Sequence, residues 1–157
     1  MGDEVALGND RAYQADPDKA ADNRWLQRPV MDWPAVQRRH DPETLEGRVY
    51  DGLAHLMAVR RRLPTLRGGG TVTPQQPDNS HVLAFLRRHP RTGRFVGLAN
   101  FSDQPQLVDP TAVGVAELYE PFDALTSDGL LRTDNGRIRL PPLHMCWIGE
   151  PSHRMTP

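Results

Sequence analysis

The sequence predicts a mainly β protein, in which a C-terminal antiparallel β-sandwich (residues 69–157) follows an N-terminal segment (residues 1–68). One strong helix signal lies between residues 41 and 64, and the run Gly68-Gly69-Gly70 then breaks the pattern. Short strand-like segments follow at close spacing with turn residues between them, and no helix is expected among them. The length of 157 residues suits one ordinary domain or slightly more.

The first forty residues are rich in Asp, Pro, Arg and Gly and carry few regular signals. Residues 16–33 stand out because two Trp, two Arg and four Asp fall in one stretch that has neither a helical nor a strand period. A segment that is rich in Trp, Arg and Asp side chains and has no hydrophobic periodicity is typical of an ordered, functional loop.

The helix is predicted to begin at Asp41, an N-cap carboxylate, with Pro42 at the first helical position. Glu46 lies in an early turn, where the helix dipole favours acids. Arg60-Arg61-Arg62 occupy the last turn and Pro64 ends the helix. The apolar positions build one helix face: Leu45, Val49, Leu53, Leu56 and Met57.

The C-terminal part is predicted to contain a series of short strands. Two of them, residues 80–87 and 93–100, flank the turn-rich segment 89–93 and form a hairpin with a longer loop. Further strands are predicted at residues 106–108, 115–119, 130–133, 137–140 and 143–147, with a turn at Asp134-Asn135-Gly136. The chain has no internal repeat.

Composition excludes several classes of function. The formal net charge is -1 with acids and bases interspersed, so neither a nucleic acid nor a membrane is expected as a partner. The one cysteine, Cys146, lies in an apolar run, so no intrachain disulfide is expected and the thiol should behave as a small hydrophobe. With no signal peptide and no apolar run of membrane-spanning length, the expected location is cytoplasmic.

Other charged residues offer weak catalytic or metal signals. Asp3 and Glu4 are adjacent, so on a strand they would point to opposite faces and could not flank one bond. Asp16, Asp18 and Asp22 lack the Gly and bidentate Glu of a calcium loop, which favours turn formation. The six histidines lack ligand spacing and are expected to be surface or helix residues: His40, His55, His81, His89, His144 and His153. No metal and no cofactor are therefore expected.

A set of segments stands in a fixed order along the chain: Gly2-Asp3-Glu4, Asn9-Asp10, Asp16-Pro17-Asp18-Lys19-Ala20, Asp22-Asn23-Arg24-Trp25 with Arg28-Pro29, His40-Asp41-Pro42, and Leu98-Ala99-Asn100-Phe101-Ser102. Together they resemble the C-terminal end of the amylosucrase and sucrose-hydrolase branch of the α-amylase superfamily. The D-x-R-W-x-x-R-P loop is the most specific of these motifs. A lone G-D-E would be weak, because many α-amylase relatives share it.

The resemblance implies a fold and a chemistry. Residues 1–68 would be the last loop and helix of an incomplete (β/α)8 barrel, with G-D-E at the end of its eighth strand, and residues 69–157 would be the sandwich domain of the α-amylase type. Such enzymes use a retaining mechanism, in which two carboxyl groups about 5 Å apart act as nucleophile and as acid/base. In this family the catalytic Asp, Glu and Asp come from earlier strands, so this chain should hold no catalytic residue and be inactive alone.

Arg24 is the site residue that the resemblance singles out. In similar enzymes, the Arg of D-x-R-W pairs with a carboxylate from an early barrel loop and closes the far end of the glucosyl pocket. Without that loop Arg24 would be solvated, or it would be a structural Arg held by Asp22 or Asp32. Trp25 and Trp33 could stack on sugars, although packing of the loop against the barrel is favoured. Arg28 is expected to be structural rather than a sugar contact.

Three interpretations of function stay open. The leading one is a C-terminal fragment of an amylosucrase-like α-glucosyltransferase or sucrose hydrolase, whose full-length relative acts on sucrose or α-glucan. The others are a free-standing carbohydrate-binding sandwich and a subunit that completes a split barrel by association with the missing barrel portion. A further expectation is a stable C-terminal half with a loosely held N-terminal forty residues, since the helix face would lack its cover.

Overall fold

The computed structural model describes residues 2–130, 133 and 135–151. The fold is mainly β, with a five-stranded antiparallel sheet and few helices. The chain divides into two compact units, residues 1–57 and residues 58–157, and the division falls within a helix. The domain boundary expected after residue 68 stays a prediction. Within the described ranges, no helix combines the length and the apolar character that crossing a bilayer requires.

The first unit contains short 3-10 turns, a short helix, α1 (Trp33–Gln37), and the first part of the long helix that crosses the division. The Asp32 carboxylate caps α1 by accepting a hydrogen bond from the Ala35 N–H at 3.1 Å. Val5 and Ala35 are buried. The 3-10 turns are Asp3–Val5, Ala12–Ala15, Asn23–Gln27 and Arg38–His40.

The expected strand end at Gly2-Asp3-Glu4 is wrong for the described chain, because Asp3–Val5 is a 3-10 turn. The N–H groups of Val5 and Leu7 both donate to the Gly2 carbonyl, at 3.1 and 3.0 Å. A strand needs a neighbouring strand for its backbone hydrogen bonds, and a turn satisfies them locally.

The long helix, α2 (Leu45–Arg62), begins later than the sequence suggests. Asp41 does not cap it: its carboxylate accepts from the Glu43 N–H at 3.0 Å, and the Thr44 N–H donates to the Asp41 carbonyl at 3.1 Å. These bonds close a turn around Pro42. The Thr44 hydroxyl accepts from the Gly47 N–H at 3.0 Å and takes the N-cap role. The predicted end before Pro64 is confirmed.

Of the five residues on the apolar face predicted for α2, three are exposed, and Val49 and Leu56 are half-buried. Leu45 and Met57 are each 56% exposed and Leu53 is 40% exposed. The end of the helix belongs to the second unit, where Val59 is buried and forms a small cluster with Leu63 and Phe95.

Among its described residues, the second unit contains seven strands: β1 (Thr71–Pro74), β2 (Val82–His89), β3 (Gly93–Asn100), β4 (Gln106–Val108), β5 (Phe122–Asp123), β6 (Ile138–Leu140) and β7 (Met145–Gly149). The larger sheet has the order β1-β2-β3-β7-β5, and all its pairings are antiparallel. The predicted hairpin is confirmed: β2 and β3 pair from Val82 with Asn100 to His89 with Gly93. A second sheet pairs β4 with β6.

The larger of the two hydrophobic clusters described in the second unit lies between its sheets. Both sheets contribute to it, through side chains such as Leu86 and Ile148 from the larger sheet and Val108 and Leu140 from the smaller one. The two sheets therefore pack their apolar side chains around this cluster. Gly97 lies against the ring of Phe85, its partner on β2, which packs against the smaller cluster, and a Cβ atom on Gly97 would lie 2.4 Å from that ring.

Some strand predictions are wrong. Residues 115–119 hold a 3-10 turn, Val115–Glu117, because the N–H groups of Val115 and Ala116 both donate to the Pro110 carbonyl. The short strands β1 and β5 were not predicted. The expected strand at 130–133 includes Leu131 and Arg132, which lie outside the described residues, as do Asp134 of the expected turn and residues 152–157 with His153.

Candidate functional site

The loop that carries the candidate site is held in shape by aspartates that bond to nearby backbone. The Asp16 carboxylate accepts from the Asp18 N–H at 3.0 Å, and the Asp22 carboxylate accepts from the Arg24 N–H at 3.0 Å. Each bond spans two residues, which is the local geometry of an Asx-turn. The turn-forming role predicted for Asp16 and Asp22 is therefore observed.

Arg24 forms a forked ion pair with Asp22. Its Nε atom lies 2.8 and 3.0 Å from the two carboxylate oxygens, and its Nη2 atom lies 2.8 Å from Oδ2. The side-chain hydrogen bonds from Arg24, followed by the bond from its backbone N–H, lower the pKa of Asp22 to about 2. The Arg24 side chain is 74% exposed, so its guanidinium is solvated and paired within its own turn.

Trp25 is half-buried between cationic side chains. The Lys19 Nζ atom lies 5.2 Å from the ring centroid and the Arg28 Cζ atom lies 5.8 Å from it. Both are within cation–π range, and Lys19 is also paired with Asp16 at 2.7 Å. Trp33, by contrast, is 67% exposed. The structural role expected for Arg28 stays a prediction, although its contact with Trp25 lies within the loop itself.

An open cleft of about 490 Å³ brings Arg24 and Arg28 together with Asp3. Residues from the chain start and from the loop line it: Asp3, Leu7, Gly8, Asn9, Arg24, Gln27, Arg28 and Pro29. The cleft offers two guanidinium donors, one carboxylate acceptor and two side-chain amides. Such a set can hydrogen-bond the hydroxyl groups of a sugar or an anionic group.

The sequence singles out Arg24 and Arg28, and Gln27 lies beside them because it shares the 3-10 turn Asn23–Gln27 with Arg24 and directly precedes Arg28. Asp3 and Asn9 carry a signal only through their order in the motif series, because no periodicity connects them to residue 24. The backbone supplies one link, since the Asp10 N–H donates to the Leu26 carbonyl at 2.9 Å and draws the two segments together.

Comparison with models of known protein families finds no match for this chain.

Proposed function

We propose that this chain is the C-terminal portion of an amylosucrase-like α-glucosyltransferase or sucrose hydrolase, and that it functions by completing a (β/α)8 barrel. In that assembly residues 1–68 supply the loop after the eighth strand and the last helix. Residues 69–157 form the sandwich domain of the α-amylase type. The substrate is sucrose or α-glucan, and the retaining pair of carboxyl groups belongs to the barrel polypeptide.

The observation that carries the proposal is the cleft that joins Arg24, Arg28 and Asp3. A pocket that accepts one glucosyl unit needs a polar end wall, and a guanidinium fork is a rigid one. Arg24 already holds a fork with Asp22, and its exposure leaves it able to pair with a carboxylate brought by a barrel loop.

The exposed face of α2 supports the same proposal. Leu45, Leu53 and Met57 stand 40–56% exposed in a row at helical spacing. Fully covering an aliphatic side chain of this size stabilises an assembly by about 1.5–3 kcal/mol. A barrel wall is a cover of this kind, since barrel helices pack their apolar faces against parallel strands.

The test is complementation. The chain is mixed with a separately expressed barrel polypeptide from a sucrose-acting relative that ends before the loop after its eighth strand, and glucose and fructose release from sucrose are measured. We expect turnover from the mixture and none from this chain alone. Arg24→Ala should reduce turnover by on the order of 100-fold, as expected when a positioning group is lost.

Arg91→Ala is the matched control, since Arg91 is an exposed arginine in the β2–β3 loop, outside the cleft. Equal turnover by the Arg24 and Arg91 variants would contradict the pocket role. The proposal would be overturned if this chain alone consumed sucrose, or if no mixture released glucose or fructose from sucrose. Binding of α-glucan by the chain alone, with silent mixtures, would instead favour a carbohydrate-binding module.

A further inference from the structure

A second group of polar side chains lies in the second unit, far along the sequence from Arg24. Asp123 and Cys146 are buried and His144 is half-buried, and their ligand atoms all lie within 4.8 Å of one another. Together they offer a carboxylate oxygen, an imidazole nitrogen and a sulfur, the donor types that bind Zn²⁺.

The sheet explains why these residues meet. His144 directly precedes β7 and its carbonyl accepts from the Asn100 N–H at 2.8 Å, so the backbone there continues the strand ladder. His144 and Cys146 are two residues apart and therefore share a face of that strand. Asp123 comes from β5, which pairs with β7 on its other edge, with Asp123 opposite Ile148.

The Asp123 carboxylate is oriented by backbone groups. Its Oδ1 atom accepts from the Leu125 N–H at 3.1 Å and from the Trp147 N–H at 3.0 Å. Hydrogen bonds of this kind fix the direction of a ligating carboxylate in metal sites. The Trp147 donor lies in β7, the strand that also carries Cys146, and the Leu125 donor lies in the turn that follows β5.

A cavity of about 130 Å³ opens beside the three side chains, and Asp128 and Arg139 also line it. With the thiol deprotonated, two carboxylates and a thiolate stand against one guanidinium, which leaves two negative charges. A dication neutralises them, and the cavity has room for a water molecule as a further ligand.

We propose that Asp123, His144 and Cys146 bind a Zn²⁺-class dication, with a water molecule in the adjoining cavity as the fourth ligand. Three protein ligands and one open position form the usual four-coordinate arrangement of non-structural zinc sites. From the metal–ligand lengths, ligand atoms around tetrahedral zinc lie about 3.3–3.7 Å apart, so these donors must close by roughly 1 Å. Rotation of the half-buried His144 side chain supplies that movement.

On binding, the S–H bond of Cys146 breaks, the sulfur–metal bond forms, and the proton passes to solvent. In the unliganded chain, burial and then the charge of Asp123 raise the pKa of the Cys146 thiol to about 12, and the thiol hydrogen-bonds to Asp123.

The experiment uses the full chain after exhaustive chelation. Zn²⁺ is titrated in competition with a chromophoric chelator, and Co²⁺ is added separately to record its absorption spectrum. We expect one equivalent of Zn²⁺ per chain and a sulfur-to-cobalt charge-transfer band. Cys146→Ser and His144→Gln should each weaken Zn²⁺ binding by at least about 100-fold, since even an outer-shell change costs 10–100-fold. The charge-transfer band should vanish in the Cys146 variant.

His81→Gln is the matched control, because His81 is exposed and belongs to neither the cluster nor the cavity. It should leave Zn²⁺ binding unchanged. Absence of stoichiometric binding, or binding that survives both Cys146→Ser and His144→Gln, overturns the proposal. If circular dichroism shows that the Cys146 variant does not fold, His144→Gln decides, since His144 is half-buried and lies outside the hydrophobic cluster.

Discussion

At the scale of single residues, Arg24 forms an ion pair with Asp22, whereas the motif resemblance implies that it pairs with a carboxylate from a barrel loop. Its fork with Asp22 spans two positions and forms within one turn of chain. Exposed ion pairs of this kind contribute little to stability, because water competes for both groups. The fork can therefore be exchanged for a carboxylate on another polypeptide, as the proposed function requires.

The titration of Asp22 tests this fork directly. Its folded-state pKa is about 2, below the usual 3.8, so the pair is intact above about pH 4 and is lost as pH falls through 2. Arg24→Ala removes the side-chain bonds but keeps the backbone N–H bond, so the pKa of Asp22 should rise part of the way to 3.8. Carboxyl ¹³C chemical shifts recorded against pH measure it.

Asp16 is the internal control for that titration. Its pKa is lowered first by a hydrogen bond from Lys19 and then by the Asp18 N–H, and Arg24 is not among the causes. It should titrate identically in the wild type and in the Arg24 variant. An Asp22 midpoint that does not move in the variant would mean that the fork does not form in solution.

Local chemistry explains which parts of this site the sequence could predict. The turns at Asp16 and Asp22 were predictable, because a short acceptor and a backbone N–H two residues later meet without help from the rest of the fold. The proximity of Asp3 and Asn9 to Arg24 was not predictable, since no local rule brings residues 3 and 9 to residue 24. The same holds for Asp123 and Cys146, which only strand pairing brings together.

At the scale of elements, the packing around α2 predicts opposite effects on stability for alanine substitutions at two of its glycines. A Cβ atom on Gly47 would lie 1.9 Å from the Asp41 carbonyl oxygen, whereas one on Gly52 meets nothing within 4 Å. Gly47→Ala must push the Asp41 turn away, and overpacking of this kind costs about 1–3 kcal/mol. Gly52→Ala should stabilise the helix by about 0.5–1 kcal/mol, because alanine loses less backbone freedom.

Urea unfolding followed by far-ultraviolet circular dichroism measures both changes, since α2 is the longest helix in the part of the chain that the structure describes. The two variants add the same methyl group to the same helix, so each controls for the other. Equal effects of the two substitutions, in either direction, would contradict the close approach of Asp41 to Gly47.

Strand length explains why the sequence predicts the β2–β3 hairpin and does not predict β5. The β2–β3 hairpin was predicted because eight-residue strands carry enough alternation to be recognised on either side of a turn. Phe122–Asp123 is too short to show a period. Residues 115–119 mimic a strand because Val115 and Leu118 are buried, but Gly114 at φ 76° turns the chain just before them.

At the scale of the whole molecule, the buried apolar side chains are unevenly divided between the two units. The main hydrophobic cluster, with Leu86, Val96 and Ile148 among its members, lies in residues 58–157. Residues 1–40 contribute Val5 and Ala35 as buried apolar side chains among the residues described there. Local opening is easiest where few apolar groups are buried and short turns supply the backbone bonds.

Limited proteolysis follows from this division. Trypsin should cut first before Asp41, at Lys19, Arg24 or Arg38, because these residues are exposed or half-exposed in 3-10 and turn segments. The β2–β3 loop, with Arg91, should resist longer, since opening it breaks sheet pairs on both strands. Mass spectrometry of early time points identifies the cut sites.

The same digestion also tests whether the barrel polypeptide binds and protects the N-terminal segment. If the proposed barrel covers the Arg24 loop and the Leu45, Leu53 and Met57 face, adding the barrel polypeptide should slow cleavage at Lys19 and Arg24 and leave cleavage of the β2–β3 loop unchanged. Resistance of residues 1–40 in the isolated chain would contradict the expectation of a loosely held start. Cleavage there at one rate with and without the barrel polypeptide would show that no cover forms, because protection requires the cut sites to be removed from solvent.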